Sequence, residues 1–239
     1  SGANAKQSSN DMPFLSVELG NASGTIQGKV WDYSGPVSPA DTGAVVKIRG
    51  VVSEFRGMPQ VTVEQIRLAV PGDVYQVKNL VPTAPIDEDA AWRELLALVD
   101  SIADTDYRAV CQSVLEAYKD RFFNIPAAKT VHHGFLHGLL MHTIFMARTA
   151  DYLAGLYAGV IDRSLLLAGT ILHDVAKCEE FTTSPLGLVT EYSKRGQLLG
   201  HLVMGAQAVA SCAGELGIPE EKSTLLQHLL LSHHGKPGF

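Results

Sequence analysis

The sequence has 239 residues, of which 46% are hydrophobic and 18% are charged, and its net charge is −6. This composition is that of a globular chain long enough to bury a sizeable core, in one large or two modest domains. It excludes a wholly basic nucleic-acid platform: residues 1–85 carry seven basic and seven acidic side chains, and residues 86–239 carry twelve and eighteen. No apolar run reaches membrane-spanning length, so no membrane partner is expected.

Alternating apolar and polar residues predict short strands in the first third of the chain. The predicted strands are residues 12–19, 25–31, 44–54 and 59–68, with a further short strand at 74–77. Turn and breaker residues separate them at the spacing typical of a small barrel. The sequence therefore predicts an all-β, OB-like barrel over residues 1–78.

Such barrels bind single-stranded nucleic acid with exposed aromatic rings beside cations. The candidates here are Trp31, Tyr33, Phe55 and Arg56. Phe55 and Arg56 fall at a hairpin tip and are the predicted substrate-binding pair. Trp31 ends an alternating strand, which favours a place in the core. The balanced charge of this half fits a module for protein contacts as well.

Two prolines within residues 79–86 predict a linker, because proline deters helix and strand alike. From residue 87 onward the periodicity predicts an all-α domain that extends over 87–239. One stretch of this domain, residues 182–192, contains breakers and predicts either a lid or a plain connection.

All nine histidines lie between residues 132 and 234. The pair His173-Asp174 ends an apolar helical run, where both side chains are costly to bury without a partner. A divalent metal would be such a partner, since imidazole and carboxylate suit Zn, Mn and Fe. A satisfied core histidine beside a capping aspartate fits this pair equally well. The clustering of histidines on several helices favours the metal.

Three cysteines, Cys111, Cys178 and Cys212, are widely spaced and form no CxxC pair. They predict reduced thiols in a cytoplasmic protein. The absence of a basic-then-apolar leader at the start of the sequence fits the same compartment.

Five ordered stretches carry a resemblance to known proteins. They are Ala127–His133, Gly138–Thr143, His173–Glu180, Leu199–His201 and Leu231–Gly235. In this order they resemble the HD superfamily of metal-dependent phosphohydrolases. They resemble more closely the YhaM-type 3′–5′ exoribonucleases, which join an OB-fold to an HD domain and which are thought to form homo-oligomers.

The resemblance implies a divalent-metal site of one or two ions, with Mn²⁺ as the first choice and Fe, Co or Zn as alternatives. One ion would be held by His142, His173 and Asp174, and a second by Asp174 as a bridge with His201, His233 and His234. Lys177 would contact the phosphate, so Asp174 and Lys177 are the predicted catalytic residues.

Other positions of the resemblance are less uniform. His133 is a predicted substrate or metal contact, whereas His132, His137 and His228 are expected to have structural or surface roles. The family has a glycine where this sequence has Ala176. Its last ligand, an aspartate, would follow the His-His-Gly stretch, so the C-terminal part of the domain is expected to lie beyond residue 239.

Three functions remain open on the sequence alone. The first is a 3′–5′ exoribonuclease that hydrolyses single-stranded RNA, or DNA, with a metal-activated water. The second is an HD phosphohydrolase that acts on a small nucleotide. The third is a nucleic-acid-binding protein whose metal site is structural.

Overall fold

The computed structural model describes residues 2–7, 12–126, 135–184, 186–187 and 189–235. The chain divides into two compact units. The first comprises residues 1–83 with 184–186, and the second comprises residues 84–183 with 187–239.

The first unit is a five-stranded sheet. Its strands are β1 (Ala3–Gln7), β2 (Pro13–Asn21), β3 (Gly24–Trp31), β4 (Val46–Phe55) and β5 (Met58–Leu68), and a short helix, α1 (Val77–Leu80), follows them. The order across the sheet is β1-β2-β3-β5-β4, and only the β3–β5 pair is parallel. Its core is a cluster of small branched side chains: Leu15, Val17, Val30, Val37, Val61, Val63 and Ile66.

The sequence pattern predicted four of these strands. Buried and exposed residues alternate in β2, β3 and β5, whereas β4 is almost entirely exposed. Two expectations need correction. The stretch at 74–77 forms no strand, and the helix α1 begins at Val77 instead. The sheet is also not a closed barrel: β1 and β4 are its edges, and the described strands do not pair them. The unit is compatible with an OB-like domain in strand order and size alone.

The second unit is helical and contains eight helices among the residues that the structure describes. They are α2 (Glu88–Asp100), α3 (Thr105–Asn124), α4 (Gly138–Leu156), α5 (Arg163–Leu172), α6 (Lys177–Glu180), α7 (Lys194–Leu198), α8 (Gly200–Leu216) and α9 (Glu220–Ser232). The side chains of Asp87 and Asp104 cap the N-terminal ends of α2 and α3. One continuous core joins α2, α3, α4, α5, α8 and α9.

The predicted all-α character of this unit is wrong at one place. Strands β6 (Phe181–Thr183) and β7 (Val189–Tyr192) form an antiparallel hairpin. Phe181 and Tyr192 face each other with ring centroids 5.2 Å apart, so an aromatic cross-strand pair stabilises the two short strands.

Two further properties of the chain follow from the described helices and cysteines. None of the described helices is both long and apolar enough to cross a membrane. Cys111, Cys178 and Cys212 are buried and free of disulfide bonds, as predicted.

Candidate metal centre and aromatic surface

Helices α4 and α5 bring the first three candidate ligands together. Helix α5 buries its apolar residues and ends at Leu172, which places His173 and Asp174 at its C-terminal end. Both side chains are buried. His142, on the neighbouring helix α4, has its Nε2 atom 3.1 Å from His173 Nε2 and 3.5 Å from Asp174 Oδ2.

Helices α8 and α9 supply the ligands on the other side of Asp174. His201 Nε2 lies 3.4 Å from Asp174 Oδ1 and 3.0 Å from His234 Nε2. His233 Nε2 is 3.7 Å from the same Asp174 Oδ1. The carboxylate of Asp174 therefore faces one histidine group with each of its oxygens.

The tautomers of these histidines leave lone pairs pointing at the carboxylate. His173 Nδ1 lies 2.7 Å from the Thr170 carbonyl oxygen, and His233 Nδ1 lies 2.8 Å from that of Leu230. A carbonyl only accepts, so each Nδ1 carries the hydrogen and each Nε2 of the neutral ring is an acceptor. These acceptors face Asp174, which also only accepts. A cation between them removes this conflict.

Two buried atoms point to the same cation. Asp174 Oδ1 and His233 Nε2 are inaccessible to solvent and have no hydrogen-bond partner. Unsatisfied buried polar atoms are rare in native proteins, and a bound ion or water is the usual partner of such atoms. The donor set of imidazoles and a carboxylate is one that binds divalent transition metals.

The ligand atoms form two groups, each within 4.8 Å. The first comprises His142, His173 and Asp174, and the second comprises Asp174, His201, His233 and His234. We call these the three-residue group and the four-residue group. Their composition fits divalent-metal binding at one or two positions that share Asp174.

The electrostatics of the site keep its ligands in their metal-binding forms. Burial alone would raise the pKa of Asp174, but the neighbouring His173 and His233 and the charge of Lys177 outweigh it and hold that pKa well below its usual range. Burial and the neighbouring histidines His233 and His201 lower the pKa of His234. Both shifts favour the deprotonated side chains that metal ions require.

Lys177 lies in the first turn after the His-Asp pair. Its Nζ atom donates to Asp174 Oδ2 at 2.8 Å, and 15% of its side chain is exposed. Lys177 therefore places a positive charge at the side of the carboxylate that faces the three-residue group.

Glu180 is a site residue that the sequence interpretation did not assign. Both of its carboxylate oxygens lie 3.0 Å from His201 Nδ1. The signal was present in the sequence, since a second glutamate follows Glu179 at the end of the His-Asp-Val-Ala-Lys stretch. Which of the two faces the site depends on the short helix α6, whose length the sequence did not reveal.

The first unit carries a separate cluster of exposed rings and cations, which we call the aromatic surface: Lys29, Trp31, Phe55 and Arg56. The Lys29 ammonium lies 5.4 Å from the ring centroids of both Trp31 and Phe55. The Arg56 guanidinium lies 5.2 Å from the Phe55 ring. Trp31 is 49% exposed and Phe55 is 52% exposed, so the expectation that Trp31 belongs to the core is wrong. Its ring packs beside Phe14 on the outer face of the sheet instead.

Comparisons with known proteins agree with this architecture. The HD domain family model matches residues 139–238. The 3′-5′ exoribonuclease YhaM of Geobacillus sp. (strain WCH70) is 35% identical over 233 residues, which cover 95% of this chain and 69% of the relative. The same-named protein of Listeria innocua is 36% identical over 233 residues, covering 95% and 72%. That of Halalkalibacterium halodurans is 36% identical over 230 residues, covering 95% and 70%.

This chain belongs to the YhaM family. The resemblance read from the five ordered stretches is therefore confirmed, and it extends over both units. No solved structure matches the chain.

The structure places two further histidines of this YhaM-family chain, His137 and His228, outside both ligand groups. His137 has a left-handed backbone, with φ of 60°, and its Nδ1 atom lies 2.7 Å from the Phe123 carbonyl oxygen. His228 belongs to neither group of the described residues. His132 and His133 lie outside the described residues, and the substrate contact predicted for His133 stays a prediction.

Proposed function

We propose that this chain is a metal-dependent 3′–5′ exoribonuclease that hydrolyses single-stranded RNA. The observation that carries the proposal is the pair of ligand groups that share Asp174, in a chain that is over 30% identical to proteins named 3′-5′ exoribonuclease along 95% of its length. The 3′–5′ direction of degradation is inferred from the names of these relatives.

The proposed metal ligands are His142, His173, Asp174, His201, His233 and His234, and the proposed metal is Mn²⁺. When bound, such ions supply Lewis-acid stabilisation of the phosphodiester and a water nucleophile at neutral pH. Serine and cysteine nucleophiles are not needed for this chemistry. The three cysteines are buried, and burial raises the pKa of Cys178 to about 12, so this thiol near the site stays protonated.

Asp174 and Lys177 have distinct proposed roles. Asp174 links the two ligand groups, because each of its oxygens faces a different group. Lys177 keeps that carboxylate ionised and, with part of its side chain exposed, offers an ammonium to a phosphate oxygen or to the negative charge that develops during hydrolysis.

The aromatic surface has the proposed role of holding the single strand. Nucleobases stack on exposed aromatic rings whatever their sequence, and neighbouring cations attract the phosphates. The Lys29 ammonium lies 5.4 Å from the ring centroids of both Trp31 and Phe55, and the Arg56 guanidinium lies 5.2 Å from that of Phe55. This arrangement supports a binding role for Phe55 and Arg56 and adds Lys29 and Trp31 to it. The self-association implied by the family resemblance stays a prediction.

A nuclease assay with two labels tests the proposal. The full protein is incubated with Mn²⁺ and single-stranded RNA labelled at the 5′ end or at the 3′ end. Degradation from the 3′ end shortens the 5′-labelled strand stepwise and releases the 3′ label at once as a mononucleotide. A chelator abolishes both signals.

Matched substrates in the same assay distinguish the alternatives. A DNA strand of the same sequence tests the preference for RNA. Mononucleotides and a cyclic dinucleotide test for a phosphohydrolase of small nucleotides. Fast turnover of a small nucleotide while RNA stays intact would overturn the proposal, as would intact RNA in every condition.

A further inference from the structure

Glu180 is bound to the start of helix α8 by its side chain. The carboxylate is buried, and its Oε1 atom accepts a hydrogen bond from the backbone N–H of His201 at 3.1 Å. Both oxygens also lie 3.0 Å from Nδ1 of the same residue. One carboxylate therefore fixes both the backbone and the ring of His201.

Helix α8 needs this partner because it has no cap of its own. Leu199 occupies its N-cap position and makes no side-chain hydrogen bond. Glu180 reaches this position from α6, and the negative charge suits the N-terminal end of a helix. The backbone of Glu180 also packs closely against Gly196 in α7, where an added Cβ atom would overlap the Glu180 carbonyl.

The same contact changes the chemistry of the His201 ring. A carboxylate at Nδ1 fixes the tautomer with the lone pair on Nε2, sets the ring orientation and increases the basicity of that lone pair. His201 Nε2 is the atom that faces Asp174 Oδ1 and His234. The carboxylate thus acts on the metal-binding atom through the ring.

Two other ligand rings, those of His173 and His233, have weaker support at Nδ1. His173 and His233 each donate to a neutral backbone carbonyl, those of Thr170 and Leu230. Among these three rings, only His201 is supported by a carboxylate. This support belongs to the four-residue group and not to the three-residue group.

We propose that Glu180 is a positioning residue that sets the metal affinity of the four-residue group and leaves that of the three-residue group unchanged. The proposal rests on the metal-dependent activity proposed above and refines it, because it gives the two ion positions separate control. Glu180 acts through His201 and does not itself contact the ion.

Metal binding by the full protein tests this directly. The dissociation constant of Mn²⁺ is measured by calorimetry, and bound Mn²⁺ is counted by electron paramagnetic resonance. In a His142→Ala background, which weakens the three-residue group, Glu180→Gln is expected to weaken binding about 10- to 100-fold. In a His201→Ala background, where the supported ring is gone, Glu180→Gln is expected to have no effect.

Two controls separate positioning from a structural role. Glu179→Gln changes the neighbouring glutamate, which binds Tyr118 and Arg195 instead of a ligand histidine, and should leave Mn²⁺ affinity unchanged. Thermal unfolding in the presence of a chelator tests the role of Glu180 as a helix cap without any contribution from metal. The unfolding midpoint of Glu180→Gln should equal that of the unmodified protein, because the amide oxygen still accepts the hydrogen bond from the His201 backbone N–H. Formate added to Glu180→Ala should restore part of the lost affinity.

The outcomes distinguish this inference from the proposed nuclease activity, since binding is measured without RNA. Equal weakening by Glu180→Gln in both backgrounds would overturn the inference. An unchanged dissociation constant in the His142→Ala background, together with no effect of formate on Glu180→Ala, would do the same.

Discussion

The two units of this chain present their functional groups in opposite ways. In the helical unit, Asp174 and His173 are polar side chains that are buried in an apolar core. In the sheet unit, Trp31 and Phe55 are large aromatic side chains that are about half exposed. Buried polar groups and exposed apolar groups are both costly arrangements, and each is informative for that reason. This contrast underlies the proposed division of roles, with ion chemistry in the helical unit and strand binding in the sheet unit.

The largest expected effect is that of Asp174→Asn, which should abolish the function proposed for the helical unit and leave that of the sheet unit intact. Asp174→Asn removes the charge that both ligand groups share, so we expect metal content to fall and RNA hydrolysis to decrease by at least about 100-fold. RNA affinity, measured by fluorescence anisotropy, should be retained. The matched control is Asp151→Asn, which breaks only an ion pair with Arg163. Loss of RNA affinity in Asp174→Asn would contradict the separation.

Metal removal should affect the stability of one unit alone. An ion that binds only the folded state stabilises it by about 2.7 kcal/mol at 100 times its dissociation constant, which shifts the midpoint of a 150-residue unit by about 5–10 °C. The two tryptophans report on the units separately, because Trp31 lies in β3 and Trp92 in α2. Mn²⁺ should raise the fluorescence midpoint of a Trp31→Phe variant, which retains Trp92. An equal Mn²⁺-induced shift of the midpoint in Trp92→Phe, which retains Trp31, would contradict this prediction.

The aromatic surface should contribute to the affinity for RNA and should have no effect on metal binding. Replacing both Trp31 and Phe55 by alanine is expected to weaken single-stranded RNA binding by about 1–3 kcal/mol for each base that loses its stacking partner. Binding is measured in chelator to prevent hydrolysis, and metal content should stay normal. Tyr152→Ala is the control, since this exposed ring lies in the helical unit. Equal losses in the control would show that any exposed ring suffices.

The smallest expected effect concerns a single cation. Arg56→Gln should weaken RNA binding several-fold and lower the slope of log affinity against log salt by about 0.7, the value for one phosphate contact on a single strand. Lys78→Gln, an exposed cation of the same unit in α1, should leave the slope unchanged. An unaltered slope in Arg56→Gln would place the strand elsewhere.

The residues that the structure brings together in the two ligand groups are those that the family resemblance implied, and their role as metal ligands stays a prediction. The His173-Asp174 and His233-His234 pairs stand out directly after the last residues of α5 and α9, and the family resemblance joined them to His142 and His201. The sequence did not reveal which side chain supports His201, because Glu179 and Glu180 are neighbours with the same chemistry. Only the single turn of α6 decides that Glu180 faces the site.

The strands with a clear sequence pattern were predicted well, and these include the almost entirely exposed β4. Strands β2, β3 and β5 alternate buried and exposed residues, and their boundaries agree with the sequence pattern to within two residues. The edge strand β1 had no such pattern and was missed. Barrel closure depends on the pairing of distant strands, about which the alternation within one strand carries no information.

Residues 173–180 place a ligand pair, a cation and a supporting carboxylate on eight consecutive positions. Since each residue added to a helical turn rotates everything after it by about 100°, inserting a single amino acid between Asp174 and Glu180 would swing Lys177 or Glu180 away from its target even if every side chain were kept. The spacing of this segment is therefore as constrained as its composition.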